Sequence, residues 1–343
     1  MPASPVTEVC YLLAFPDDTP AASPPPAPIR GLKDAPYFQP VDIRVRTVSE
    51  GKQVEAGGVP VQVTRQSYED RVQVIECRFA LPSILSTEST RRCEAVQNAL
   101  TDRLVPPAHQ ASGMFEQYVI LLVKGLKTTP DAFINRNAAA LASFIRSQRE
   151  VFDQEQLDQI LISRIRYSRD DLTLVDWEGA VVIAPLGDFQ SDIELLKIGN
   201  YQLLRYRMLD QTLEENLHLV RQQFRRNPRR FRPGPTRGPI RRIVQHRLDM
   251  MLDFEHTEQN LLLIGDWYTA QLYHAIREEL YLEDWKRSVK DKLDSLQDII
   301  QTIQENFSLT WTGLLERVEL IGWVILLIGY FILFFMEEFT RKP

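Results

Sequence analysis

The stretch LIGWVILLIGYFILFFM, from Leu320 to Met336, contains no charged residue and decides the architecture predicted for the chain. A membrane-spanning helix needs about 20 apolar residues and tolerates about 17, so this run of 17 lies at the lower limit. The alternative is a core helix of a globular domain, but core helices are usually shorter. We therefore predict a transmembrane helix over residues 318–339 that includes Leu320, Trp323, Leu327, Tyr330 and Phe334.

Charge and cysteine usage bound the class of protein. The 343 residues carry a formal net charge of −6, yet ten arginines and no acidic residue lie between Arg221 and Arg247. The three cysteines form no CxxC pair, which favours a reducing compartment over a disulfide framework or a zinc finger. No basic residue precedes the first apolar run, so we expect neither a secretory signal nor a transit peptide.

The N-terminal half alternates between strand and helix patterns. Strands are predicted at residues 8–15, 41–48, 59–63, 71–79 and 118–123, and a meander at 164–167, 172–175 and 180–184. Helices are predicted at 89–104 and from Pro130, capped by Thr129, to about Ser147. A proline-rich loop occupies residues 16–28. These patterns predict an α/β domain with a mixed sheet over residues 1–186.

The C-terminal half is predicted to be helical. One is predicted at residues 188–224, one at 267–280, and a long one from about Asp284 into the apolar run. In the long helix, apolar residues are spaced alternately four and three, which indicates packing along a helix seam. The predicted oligomer or stalk seam comprises Val289, Leu293, Leu296, Ile300, Ile303 and Phe307.

Together these elements predict an α+β fold: the α/β domain, a long-helix hairpin or coiled-coil stalk over residues 187–317, and one C-terminal transmembrane helix. An Arg/Pro-rich loop over residues 225–242 interrupts the stalk, because its prolines prevent a continuous helix.

The helical half resembles a known family. Asp266-Trp267-Tyr268 caps a helix, a long heptad helix follows, and Arg317-Val318-Glu319 precedes the apolar tail. This order is similar to the C-terminal half of the domain-of-unknown-function-155 proteins, known in mitochondria as the required-for-meiotic-nuclear-division family. The resemblance covers about residue 188 to the end and implies membrane anchoring, oligomers and support of translation near a membrane. It carries no catalytic residues.

Motifs for catalysis and cofactors are missing from the sequence. It contains no GxGxxG, Walker loop, GxSxG or HExxH, so we predict a non-enzyme without cofactors. Glu215 and His218 form one half of a di-iron bundle motif, but a second half is not found, so no metal site is predicted.

The arginine cluster has two interpretations. It is either a solvated loop between helices or a surface for phosphate groups, because arginine with few aromatics suits phosphates and lacks base-reading geometry. Ribosomal RNA and anionic lipid headgroups are both candidate partners. The candidate phosphate-binding residues are Arg225, Arg226, Arg229, Arg230, Arg232, Arg237, Arg241 and Arg242.

The sequence thus predicts a membrane-anchored scaffold or assembly protein that self-associates through its stalk. The alternatives are a membrane tether for ribosome, RNA or anionic lipid, and an enzyme with an unrecognised site in the α/β domain. We predict a single-pass membrane protein with its bulk on the cytoplasmic side, in a bacterial inner membrane rather than a mitochondrial one.

Overall fold

One sheet organises the N-terminal part of the chain in the computed structural model, which describes residues 6–17, 43–81, 85–147, 152–226, 251–252 and 267–340. The sheet has eight strands in the order β2-β3-β4-β1-β5-β8-β7-β6. The strands are β1 Val6–Pro16, β2 Val45–Ala56, β3 Val59–Tyr68, β4 Val72–Ala80, β5 Glu116–Lys124, β6 Arg164–Ile165, β7 Leu172–Val175 and β8 Gly179–Ile183.

The sheet is mixed, since β5 and β8 are parallel and the other neighbouring pairs are antiparallel. A turn at Gly57-Gly58 joins β2 to β3, and both glycines have positive φ angles, of 57° and 70°. Two-residue hairpin turns of the primed type require this conformation, which glycine adopts without a steric penalty.

The helices are α1 Thr87–Leu104, α2 Pro107–Ser112, α3 Pro130–Arg136, α4 Ala138–Arg146, α5 Gln154–Ile160, α6 Gln190–Arg226, α7 Trp267–Glu279 and α8 Leu282–Thr340. The helix predicted from Pro130 to Ser147 is two helices, because Asn137 at the junction has ψ 18° and caps both. Its predicted start is confirmed, since the Thr129 side chain accepts a hydrogen bond from the Ala132 backbone N–H.

The first face of the sheet carries the main apolar core. Alternate β1 residues Val9, Tyr11, Leu13 and Phe15 belong to it, together with residues of α1, α4 and α5. The intervening β1 residues Cys10, Leu12 and Ala14 are also buried, on the second face. Burial on both faces explains why β1 reads as a continuous apolar run rather than an alternating one.

Helix α6 covers that second face. The contact is fixed by the Lys197 side chain, which reaches Glu76 of β4 and Gln66 of β3. Helix α7 packs on α6 at Gly199, where an added Cβ would lie 2.3 Å from Ile276 Cγ2. The chain divides into two compact units: residues 1–211 with 253–289, and residues 212–252 with 290–343.

The predicted membrane helix needs correction. In the described part of the chain, no helix is long and apolar enough to cross a membrane. The uncharged run falls short of the about 20 residues that a span needs, and it forms part of the 59-residue helix α8. The transmembrane, single-pass and membrane-anchor predictions, and the fold class that includes them, are therefore wrong for the described chain, whose sheet portion is mixed α/β.

The residues assigned to that span lie on α8. Leu320, Trp323, Leu327 and Tyr330 are exposed, and the Phe334 side chain lies outside the described part. Of the predicted seam, Val289, Leu293 and Leu296 are buried, whereas the side chains of Ile300, Ile303 and Phe307 lie outside the description. Seam function itself stays a prediction.

Candidate functional site

A cleft of about 610 Å³ opens where the two parallel strands β5 and β8 begin. Its walls come from the segment that enters β5, the β7–β8 turn, one face of α1, the end of α4 and the middle of α6. A volume between 300 and 1,000 Å³ is typical of pockets for small ligands. The cleft lies within the first compact unit.

The α1 wall follows from helical spacing. Cys93, Val96 and Leu100 face the core and are buried, so the residues on the adjacent face line the cleft instead. Glu94, Gln97 and Asn98 are three and four positions apart and therefore lie on one side of the helix. This wall presents one carboxylate and two carboxamides.

The β5 wall is centred on Glu116. Arg207 of α6 contacts the Glu116 carboxylate and donates to the carbonyl oxygens of Gly113, at 2.8 Å, and Phe115, at 3.3 Å. Burial raises the pKa of Glu116, and the nearby Arg207 guanidinium only partly opposes this. Arg207 thus neutralises the acid and holds the segment that enters β5.

The turn between β7 and β8 supplies the opposite wall. Asp176 is buried, its Oδ1 accepts from Arg146 at 2.8 Å, and its backbone oxygen accepts from the Tyr118 hydroxyl at 2.8 Å. Glu178 follows, with a pKa that burial raises; Arg146 opposes this effect and Asp176 reinforces it.

Trp177, between these two acids, supplies an aromatic surface to the cleft. Its ring centroid lies 5.6 Å from that of Tyr281, with the rings tilted by 59°. Tyr11 adds a hydroxyl, which donates to Gln117 Oε1 at 2.9 Å. The cleft therefore combines aromatic, carboxamide, hydroxyl and carboxylate groups.

A second polar group, which we call the Lys197 network, consists of residues that bond to one another: Lys197, Glu76, Glu194, Gln66, Arg78 and Gln190. The Lys197 ammonium is 1% exposed and contacts Glu76, Glu194 at 2.8 Å and Gln66 at 3.1 Å. Arg78 contacts Glu76 and donates to Gln190 Oε1 at 2.8 Å, and Gln190 donates to Glu194 Oε1 at 2.7 Å. Burial alone would raise the pKa of Glu76, but Lys197 and Arg78 together lower it.

A third polar group contains a carboxylate and two hydroxyls. Asp192 of α6 accepts from Thr173 of β7 at 3.0 Å and from Tyr268 of α7 at 2.8 Å. Burial raises the pKa of Asp192 to about 6, although both hydroxyl groups oppose the shift. Tyr268, which belongs to the motif quoted in the sequence, therefore makes a half-buried contact with Asp192.

The residues proposed from the sequence fall elsewhere. Arg225 and Arg226 end α6 with undescribed side chains, and Arg229 to Arg242 lie outside the described residues. Glu215 and His218 lie on α6, and among the described residues no group of three or more His, Cys, Asp or Glu could hold a metal ion. The cysteines are buried, and burial raises the pKa of each thiol.

Sequence reasoning missed the cleft residues. Glu116, Trp177 and Glu178 stand at strand starts and turns that the sequence did locate, but nothing in their spacing joins them. The usable signal was the polar residue just before each of two apolar strands, since parallel strands bring their starts to one edge of a sheet.

Part of the chain matches a family model of uncharacterised proteins. Residues 32–190 match the family model described as "Uncharacterized protein MJ0711, N-terminal domain". The resemblance to the domain-of-unknown-function-155 proteins is thus wrong: it rested on the order of helices and short motifs in the C-terminal half, whereas the family model that matches is a different one and covers residues of the N-terminal part. No solved structure matches the chain significantly. The chain is similar to Uncharacterized protein MJ0711 of Methanocaldococcus jannaschii, at 25% identity over 272 residues, which cover 77% of this chain and 82% of that protein.

Proposed function

We propose that the sheet-containing unit is a non-catalytic binding domain that holds a small polar molecule in the cleft. The observation that carries this proposal is a cleft of about 610 Å³ whose walls combine carboxamides, carboxylates and the Trp177 ring. Binding pockets usually join a few oriented polar groups to an aromatic or apolar surface.

The lining acid Glu116 supports binding rather than catalysis. Arg207 contacts Glu116, and Arg146 contacts Asp176, the residue just before the lining residue Trp177. A general base needs a lone pair directed at the substrate, whereas these contacts orient both carboxylates toward arginines. The ion pairs also make the walls rigid, which lowers the entropic cost of binding.

Blocking the cleft tests the proposal. Asn98 is exposed on α1 and lines the cleft, so Asn98→Trp should fill it without disturbing the core. Isothermal titration of the full chain with a panel of neutral, cationic and anionic polar metabolites should identify a ligand that Asn98→Trp excludes. The matched control is Ala95→Trp, which adds the same side chain at an exposed α1 position outside the cleft. Equal binding by both variants would refute the proposal.

An enzyme is the second candidate, because burial raises the pKa of both Glu116 and Glu178 in one cleft. Raised carboxyl pKa values are common at catalytic acids. Turnover of a bound ligand that is lost in Glu178→Gln, with binding retained, would favour this candidate over pure binding.

Two segments, the exposed part of α8 and the Arg-rich segment, are candidates for binding partners. Large apolar side chains of α8 are exposed from Val318 to Ile332, and exposed apolar surface of this kind marks interaction sites. Self-association is one such interaction, and light scattering of the full chain should give a mass above one copy.

For the Arg-rich segment, the test is RNA binding at several salt concentrations. Binding that weakens steeply with salt and is lost on deleting residues 225–242 would support the phosphate-binding proposal.

A further inference from the structure

The character of the cleft walls restricts which polar molecules they can hold. We propose that the ligand is an uncharged polyhydroxylated molecule of the carbohydrate class; this inference rests on the binding function proposed above.

An anionic ligand is disfavoured by the lining. Among the described lining residues there is no Lys or Arg, while three carboxylates, Glu94, Glu116 and Glu178, are present. The two arginines nearby are engaged elsewhere: Arg207 with Glu116 and two carbonyl oxygens, and Arg146 with Asp176. A phosphate or carboxylate would meet like charges, which cost free energy in a partly desolvated site.

A cationic ligand is disfavoured at Glu116, the lining acid that Arg207 contacts. Glu116 already has this guanidinium as its partner in a charge-assisted contact, the strong class of hydrogen bond. A ligand cation would have to compete with the tethered arginine for this acid. Burial also raises the pKa of Glu178, so this wall stabilises the neutral carboxyl relative to the charged form.

The remaining groups suit hydroxyls. The carboxamides of Gln97, Asn98 and Gln117 contain both donors and acceptors, and a hydroxyl can pair with either kind of group. Within the protein, Gln117 Oε1 already accepts from Tyr11, and Gln97 Nε2 donates to Cys93 Sγ. Trp177 offers a flat apolar surface, and its ring is held by Tyr281. A ring with hydroxyls at its edge and C–H groups on its face meets both kinds of wall.

The test compares probes of similar size and different charge against the full chain. A mixture of neutral mono- and disaccharides should bind, with an affinity that does not change between low and high salt, because no net charge is screened. Spermidine and pyrophosphate serve as the charged probes. Trp177→Leu should weaken sugar binding roughly tenfold, and Trp177→Phe should retain most of it, because only the aromatic variant keeps a stacking face.

Each outcome is decisive. Sugar binding that is insensitive to salt and lost in Asn98→Trp supports the inference. Binding of spermidine or pyrophosphate alone, also lost in Asn98→Trp, overturns the carbohydrate class but leaves the binding function standing. Sugar binding unchanged in Asn98→Trp, or no binding by any probe, overturns both.

Discussion

The Lys197 network and the cleft both contain a cation of α6 that contacts a carboxylate, but the pKa of that carboxylate is shifted in opposite directions in the two. Both contain carboxylates paired with cations, at Glu76 with Lys197 and at Glu116 with Arg207. In the network the charges outweigh burial and lower the pKa of Glu76, whereas in the cleft burial outweighs Arg207 and raises the pKa of Glu116. The number of cations that reach each acid accounts for this difference, since Glu76 contacts two and Glu116 contacts one.

The difference favours a structural role for the Lys197 network and a binding role for the cleft. Groups of the network satisfy one another, and Lys197 is 1% exposed. Side chains of the cleft instead border open space. The charged groups of the Lys197 network bond to one another and hold α6 to the sheet. The polar groups of the cleft border open space, where a ligand can reach them.

Removing the network cation should have the largest effect on stability. Lys197→Met leaves the buried acids Glu76 and Glu194 without their shared cation, which should cost about 3–5 kcal/mol of unfolding free energy. Urea denaturation measures this loss. The control Lys52→Met removes an exposed lysine and should change stability by less than about 0.5 kcal/mol. Equal effects would mean that the network is not desolvated.

Neutralising the cleft acid should cost less. In Glu116→Gln, Arg207 keeps its bonds to the Gly113 and Phe115 carbonyls, and its side chain is 28% exposed, so water compensates part of the loss. We expect about 1 kcal/mol, measured by the same denaturation. A loss as large as that of Lys197→Met would show that the cleft is a closed structural network as well.

The pH dependence should distinguish the two kinds of acid. Glu76 has a lowered pKa, so its contribution to stability is present above its unfolded pKa and is lost as pH falls through the lower folded value. Asp192 has a pKa raised to about 6, so the folded state binds its proton more tightly and loses relative stability as pH rises from about 4 to 6.

Stability curves of two variants test these signs. Asp192→Asn should remove the fall in unfolding free energy between pH 4 and 6, and Glu76→Gln should remove part of the acid-side loss. Retention of the wild-type slope in Asp192→Asn would contradict the assignment.

Much of the sheet was accessible from the sequence because its strands carry the expected patterns. β3 begins at Val59 as predicted, and β7 occupies Leu172–Val175 as predicted. The error at β2, predicted at 41–48 but observed at Val45–Ala56, arises because its polar residues Ser49, Glu50 and Lys52 interrupt the apolar alternation. This strand has register shifts there and lies at the sheet edge.

The cleft could not be read from local patterns. Glu116 and Glu178 are 62 positions apart, and they meet only because β5 and β8 pair in parallel, with Val119 opposite Gly179. The close approach depends on Gly179, where a Cβ would lie 2.6 Å from the Val119 carbonyl oxygen. Neither the pairing nor the close approach leaves a periodic trace in the sequence.

The most direct test of cleft binding observes Trp177 itself. The chain has five tryptophans, so incorporation of 5-fluorotryptophan should give five fluorine resonances, and Trp177→Phe identifies the one from the cleft. Addition of the neutral sugar mixture to the full chain should shift the Trp177 resonance and leave the other four unchanged. A Trp177 resonance that does not move, while another tryptophan responds, would contradict binding in the cleft.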